Sequence, residues 1–210
     1  MIAKQGNEDE MKKRIIFATS NEGKMREIRM ILSDLNVEVV SLKEAGIDAD
    51  IVEDGKTFEE NALIKATTIM KSTNEIVLSD DSGLEVDYMD KAPGVYSARF
   101  LGEDTSYDIK NQYIIDQLQD AKEEERTARF VCVIACALPD GRTFTRRGTI
   151  EGFIAHEISG MNGFGYDPIF YLPEFGCTTA ELKPDQKNQI SHRGKALQAM
   201  KEVIKQIILA

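Results

Sequence analysis

The chain is poor in the residues that build metal centres and disulfide frameworks. Its 210 residues include two histidines, His156 and His192, which excludes a histidine-rich zinc centre. The three cysteines, Cys132, Cys136 and Cys177, are odd in number and form no C-x-x-C pair. A disulfide frame is therefore not expected, and a reduced, cytoplasmic protein is. No apolar run is long enough to span a bilayer, and the opening "MIAKQGNEDEMKKR" lacks a signal-peptide apolar core. Positive charge is scarce as well: 26 Lys and Arg stand against 36 Asp and Glu, a formal net charge of -10. That balance argues against a nucleic-acid backbone or an anionic membrane as the main partner. It leaves room for a small anion in a locally basic pocket. Internal repeats and low-complexity runs are also missing.

What is present is ordinary globular material, 42% hydrophobic and long enough for a sizeable core. Residues 1–12 read as a polar lead and 13–210 as one domain, with two lobes sharing a sheet. "RIIFATS" (14–20) is a strand, "GKMREIRMILSDL" a helix with apolar residues at helical spacing, and "VEVVSL" (37–42) a second strand. That order predicts a parallel βαβ unit. "TFEENALIKATTIMKS" (57–72) is a helix opened by a capping box, Thr57 with Glu60. A strand follows at "EIVLSD". Residues 106–125 read as a helix with an acidic, lysine-bearing outer face. "ARFVCVIACALPDGRTFTRRGTIEGFI" reads as a long hairpin turning at Asp140-Gly141, and the chain closes on a helix. The fold class expected is α/β with a mixed sheet.

Four segments could carry chemistry. In "FATSNEGKMREI" a polar loop joins a strand to a helix start, where backbone N–H groups and the helix dipole favour an anion and Lys24 adds charge. The P-loop pattern fails there, since Ala18 and Met25 stand where Gly and Ser or Thr belong. A plain loop with a solvated Lys24 stays open. In "VLSDDSGLEVD" an apolar run ends on Asp80 and Asp81, and Glu53 lies just before the preceding helix. Mg²⁺ takes one or two carboxylates together with waters and substrate phosphates. A simple Asp-Asp-Ser-Gly turn with a surface Glu53 is the other reading. "SGMNGFGYDPIF" sets glycines around Phe164 and Tyr166, so a ring could stack on a purine or plug the core. "DQKNQISHRGKAL" gathers Lys187, His192, Arg193 and Lys195 near a helix start capped by Ser191. Basic groups oppose the dipole at that end, which points to an anion or a carbonyl oxygen as their partner.

Taken in order, "ATSNEGKMREI", "TFEENALIKA", "DDSGLEVD", "APGVYSARF", "GFGYDPIF" and "ISHRGKAL" resemble the inosine triphosphate pyrophosphatase family, whose bacterial members are dITP/XTP pyrophosphatases. The resemblance runs from about residue 14 to 209. It implies an elongated, two-lobed α/β fold, with a long mixed central sheet flanked by helices and a cleft between the lobes. It implies a homodimer that hydrolyses ITP, dITP and XTP to the monophosphate and pyrophosphate with Mg²⁺. Carried over by motif, Thr19, Ser20, Asn21, Glu22, Gly23 and Lys24 cradle the triphosphate. Glu53 and Asp81 hold the metal, and Asp81 is the proton acceptor. Asp54 competes with Glu53, so that ligand rests on counting back from Gly55 and Lys65. Ser82 touches the substrate, and Ser82 with Gly83 is expected to reverse the chain and present Asp81. Phe164, Gly165, Tyr166 and Asp167 line the nucleoside, with Phe164 as the stacking ring. Lys187, His192 and Arg193 meet the 6-oxo edge of the base. A relative with pyrimidine preference and a non-catalytic nucleotide-binding protein remain as alternatives.

Overall fold

In the computed structural model, residues 12–209 are described. The polar lead expected at 1–12 therefore lies outside the described residues, apart from Lys12. Strand β1 (Lys13–Phe17), helix α1 (Glu22–Ile31) and strand β2 (Val37–Ser41) form the predicted parallel unit, with Ile15 opposite Val39. Helix α2 (Phe58–Thr73) opens on the expected capping box, and Asn74 ends it in the left-handed conformation. Strand β3 (Ile76–Val86) returns beside β1. Helix α3 (Tyr107–Gln117) follows, then strands β4 (Thr127–Ala137) and β5 (Thr143–Ile154) as the predicted hairpin. Two short strands, β6 (Phe170–Leu172) and β7 (Cys177–Thr178), and two helices, α4 (Pro184–Ile190) and α5 (His192–Leu209), complete the chain. The mixed sheet has seven strands in the order β2-β1-β3-β4-β5-β6-β7. Among the described residues no helix is long and apolar enough to cross a membrane.

Side-chain alternation on β4 explains the layering. Cys132, Ile134 and Cys136 point to one face, where α1 and α5 bury Met25, Ile28, Leu197 and Met200 against them. Val131, Val133 and Ala135 point to the other, under Ala62, Ala66 and Ile69 of α2. A further cluster gathers Leu84, Ile114, Phe130 and Phe170 beneath α3. Leu84 and Phe130 share a face with Leu78 and Cys132 by the same alternation. One face of the sheet thus carries two apolar clusters, and the polar Asp80 and Ser82 of β3 lie between them.

Two expectations need correction. The segment Asp80–Gly83 is not a turn: it runs straight through β3, with Asp80 opposite Ile134 and Gly83 opposite Val131. The unbroken partner strand β4 overrides the turn-forming composition. Gly83 serves a close approach instead, since a Cβ there would lie 2.3 Å from the Gly94 carbonyl oxygen and 2.5 Å from Ser97 Oγ. Nor does α3 run to residue 125. It stops at Gln117, and Lys110 is buried, donating to the Ala98 carbonyl at 2.7 Å rather than facing water.

The start of α5 lies tightly on β5. A Cβ at Gly148 would sit 2.2 Å from the His192 carbonyl oxygen and 2.6 Å from the Ala196 nitrogen, both backbone atoms. Gly148→Ala must push α5 off the sheet and is expected to cost about 1–3 kcal/mol, as overpacking does. Urea unfolding measures this; an unchanged midpoint would show that α5 yields freely.

Candidate active site

Strand β1 pairs with β3 only as far as Phe17 opposite Leu78, and Ala18 N–H closes the ladder on the Leu78 carbonyl at 2.7 Å. Beyond that point the chain leaves β1 for α1, whose cap is Asn21; its Oδ1 accepts from Lys24 N–H at 3.1 Å. The edge of β3 from Ser79 to Leu84 is left without a strand on that side, up to the bridge between Glu85 and Pro93. This is the place where the strand order reverses direction, the usual position of a ligand crevice in an open α/β sheet. A cavity of about 510 Å³ opens there, between the two apolar clusters.

The cavity brings together residues from all four motif segments: Asn21, Gly23 and Lys24, then Ser82, then the 163–167 loop, then Lys187, His192 and Arg193. Three of its cations, Lys24, Lys187 and Arg193, are held by carboxylates. Lys24 Nζ lies 2.8 Å from Asp80 Oδ2, and Arg193 places Nε 3.5 Å from the same oxygen and Nη1 2.7 Å from Glu27 Oε2. Arg193 Nη2 also donates to Ser82 Oγ at 3.2 Å. Burial opposes the Asp80 charge, yet Lys24 and Arg193 hold its carboxyl well below the usual range. Asp167 likewise anchors the glycine loop. It pairs with Lys187 at 2.5 Å and accepts from Phe164 N–H at 2.8 Å and from the Thr179 hydroxyl at 2.9 Å. Gly163 is required beside it, because φ is +78° and a Cβ would fall 2.2 Å from Asp167 Oδ2.

Phe164 is 41% exposed, and the Lys187 Nζ and Arg193 Cζ atoms lie 5.2 and 5.6 Å from its ring centroid. An open ring face flanked by donors is suited to an aromatic ligand with an acceptor edge. Tyr166 turns inward, donating to the Ser97 carbonyl at 2.7 Å. The buried His192 ring stacks on Phe130 with centroids 4.8 Å apart, and its Nδ1 has no partner among the described residues. Burial, then Arg193 and Lys187, push its pKa well below the ordinary value, so the ring is neutral at physiological pH.

Asp81 points to the opposite face of β3, toward α2. Lys65 Nζ reaches Glu53 Oε2 at 3.0 Å and Asp81 Oδ1 at 3.6 Å, joining the two carboxylates through one cation. Burial pushes the Asp81 carboxyl up to about 6 against the pull of Lys65. Its Oδ2 is buried and lacks a hydrogen bond of good geometry, although the Asn61 amide lies near enough to favour the charged carboxylate. A buried carboxylate oxygen short of a good hydrogen bond, beside a second carboxylate, fits a hard divalent cation that shares its remaining positions with waters and phosphates. Among the described residues no group of three or more His, Cys, Asp or Glu is placed to hold a metal ion.

A family model described as the Ham1 family matches residues 15–203. The chain belongs to the Ham1 family. It is 46% identical over 202 residues to a protein of Clostridium perfringens (strain 13 / Type A) named dITP/XTP pyrophosphatase, covering 93% of this chain and 99% of that one. Among solved structures, the Staphylococcus aureus Ham1 protein superposes with a TM-score of 0.85 at 40% identity, covering 93% of this chain and 100% of that one. A HAM1 protein from Coxiella burnetii gives 0.86 at 40% identity, with 92% and 99% covered.

In this Ham1-family chain the cavity wall contains eleven of the sixteen residues singled out from the sequence and omits Thr19, Ser20, Glu22, Glu53 and Asp81. Thr19 shapes the loop, its Oγ1 accepting from Asn21 N–H at 3.2 Å. Glu53 and Asp81 lie instead on the α2 side of β3, joined by Lys65. Of the two neighbouring acids it is Glu53, not Asp54, that meets Lys65. The sequence reading missed Glu27 and Asn61 and gave Lys65 no role beyond counting. Asn61 and Lys65 had a legible signal: polar residues four apart on the face of α2 that otherwise buries Ala62, Ala66 and Ile69.

Proposed function

We propose that the protein hydrolyses nonstandard purine nucleoside triphosphates, dITP, ITP and XTP, to the monophosphate and pyrophosphate with Mg²⁺. The observation that carries this reading is the cavity itself. It joins an exposed ring flanked by Lys187 and Arg193 to a helix start bearing Lys24, at the open strand edge that carries Asp81. The printed name of the Clostridium perfringens relative supports the same reading. A homodimer in the cytoplasm belongs to it as well.

Phe164 stacks on the base. Lys187 and Arg193 donate to the 6-oxo acceptor that hypoxanthine and xanthine carry and adenine lacks; an amino group there leaves a buried donor unpaired. The N–H groups at the start of α1 and Lys24 hold the phosphates. Glu53 and Asp81 hold the metal, which when bound neutralises charge developing on the phosphates. Asp81, as carboxylate, accepts the proton of the water that attacks the α-phosphorus. The bond from that phosphorus to the pyrophosphate oxygen breaks, and pyrophosphate leaves. A panel of nucleoside triphosphates with pyrophosphate detection tests the reading. Turnover of ITP, dITP and XTP at least about tenfold faster than that of ATP is expected, since one unpaired buried donor costs 1–3 kcal/mol. A preference for pyrimidine nucleotides, or no Mg²⁺-dependent turnover, would overturn it.

A further inference from the structure

Asn61 is fully buried at the start of α2, and a buried amide needs partners at both ends. Its Oδ1 accepts from Gly55 N–H at 2.9 Å. Gly55 is pressed on the helix so closely that a Cβ would stand 2.6 Å from that oxygen and 2.8 Å from Glu60 Cβ. Glu60 reinforces the contact, its Oε2 accepting from Lys56 N–H at 2.6 Å and Thr57 N–H at 3.2 Å. The other end of the amide, Nδ2, is buried and lacks a hydrogen bond of good geometry, as does Asp81 Oδ2. One helical turn on, Lys65 donates to Glu53 and forms a longer ion pair with Asp81.

We infer that Asn61 is a positioning residue that sets Glu53 against Asp81. The chain enters α2 through Glu53, Asp54 and Gly55; the Gly55 N–H ties the backbone of this stretch to the helix, and Lys65 holds the Glu53 side chain. Asn61 holds that tie while standing on the helix face turned to Asp81. Lys65 closes the far side of the same frame. Loss of Asn61 frees the loop that carries Glu53, and the two carboxylates lose their fixed separation. The inference rests on the reading of Glu53 and Asp81 as the metal pair. Outer-shell partners of metal ligands are worth roughly 10–100-fold in affinity or activity.

The test is a double-mutant cycle of Asn61→Ala and Gly55→Ala, read in two ways. Hydrogen exchange of the Gly55 amide in the metal-free protein is expected to be slow in the wild type and at least tenfold faster in Asn61→Ala. Turnover of ITP is expected to fall by roughly 10–100-fold in each single variant, with more Mg²⁺ needed for half-maximal rate. The double variant should be no worse than the more damaged single one, because both break the same tie. Should Asn61→Ala fail to fold, Gly55→Ala carries the test alone, since its Cβ pushes the loop off Asn61 Oδ1 without removing the amide. Unchanged Gly55 exchange in Asn61→Ala, wild-type Mg²⁺ dependence in Gly55→Ala, or multiplying losses would overturn the inference. Asp81→Asn separates it from the functional reading: retained turnover there sinks the metal pair whatever Gly55 exchange shows.

Discussion

Asp81→Asn is expected to lose turnover by about 10³-fold or more while still binding nucleotide, and to gain stability. On the proposed reading, the loss follows from removing a group that both accepts the proton and helps hold the metal. Binding survives because Lys24, Phe164, Lys187 and Arg193 lie on the other side of β3. The gain follows from burial, which lifts the Asp81 carboxyl from an ordinary 3.8 to about 6 in the fold. A group whose folded pKa is raised binds more protons folded than unfolded at intermediate pH. Its ionisation therefore costs stability: nothing below about pH 4, progressively more up to pH 6, and in full above that. A rise of roughly two units corresponds to about 3 kcal/mol. Asparagine never ionises, so without divalent metal the variant should exceed the wild type by up to that amount at pH 7–8, and the difference should vanish near pH 4. Urea unfolding at several pH values in EDTA measures it. A variant with wild-type turnover, or one less stable than the wild type at pH 8, would contradict the assignment.

The same residue shows how much of the molecule is legible in the chain. Local signals are readable where local energetics decide the outcome. The Thr57–Glu60 box, the Asp140-Gly141 hairpin and the closing helix all appear as expected. Strands β6 and β7, of three and two residues, are too short to show a period, and α4 is stapled in by Lys187 rather than by an apolar stripe. The turn expected at Asp80–Gly83 fails for a different reason. Propensity speaks for isolated chain, whereas β4 offers this stretch a full ladder. The site's members were nameable because each motif carries its own polar residues. Their pairing was not, because Lys24 meets Asp80, and Arg193 meets Glu27, only through the packing of α1 and α5 on the sheet.

Alternation along β3 turns the two adjacent acids to opposite faces with different nearest cations, and Asp80→Asn should therefore do the opposite of Asp81→Asn. Both variants change the net charge by the same amount. Asp80, however, is 2% exposed and faces Lys24 and Arg193. Its carboxyl is held well below the ordinary 3.8 against the opposition of burial. A group with a depressed folded pKa contributes stability that is present above the unfolded pKa and lost as pH falls through the folded one. Asparagine leaves two buried cations short of their counter-charge. Breaking a buried pair from one side costs about 3–5 kcal/mol, and the lower end applies because Glu27 still holds Arg193. The expected loss is thus about 3 kcal/mol across pH 5–8, shrinking only below about pH 4, where the unfolded chain begins to take up its proton. At pH 7 the two asparagine variants should shift the urea midpoint in opposite directions, Asp81→Asn upward and Asp80→Asn downward. Shifts of the same sign would mean that the two carboxylates share one environment, and the division of the site across β3 would fall with them.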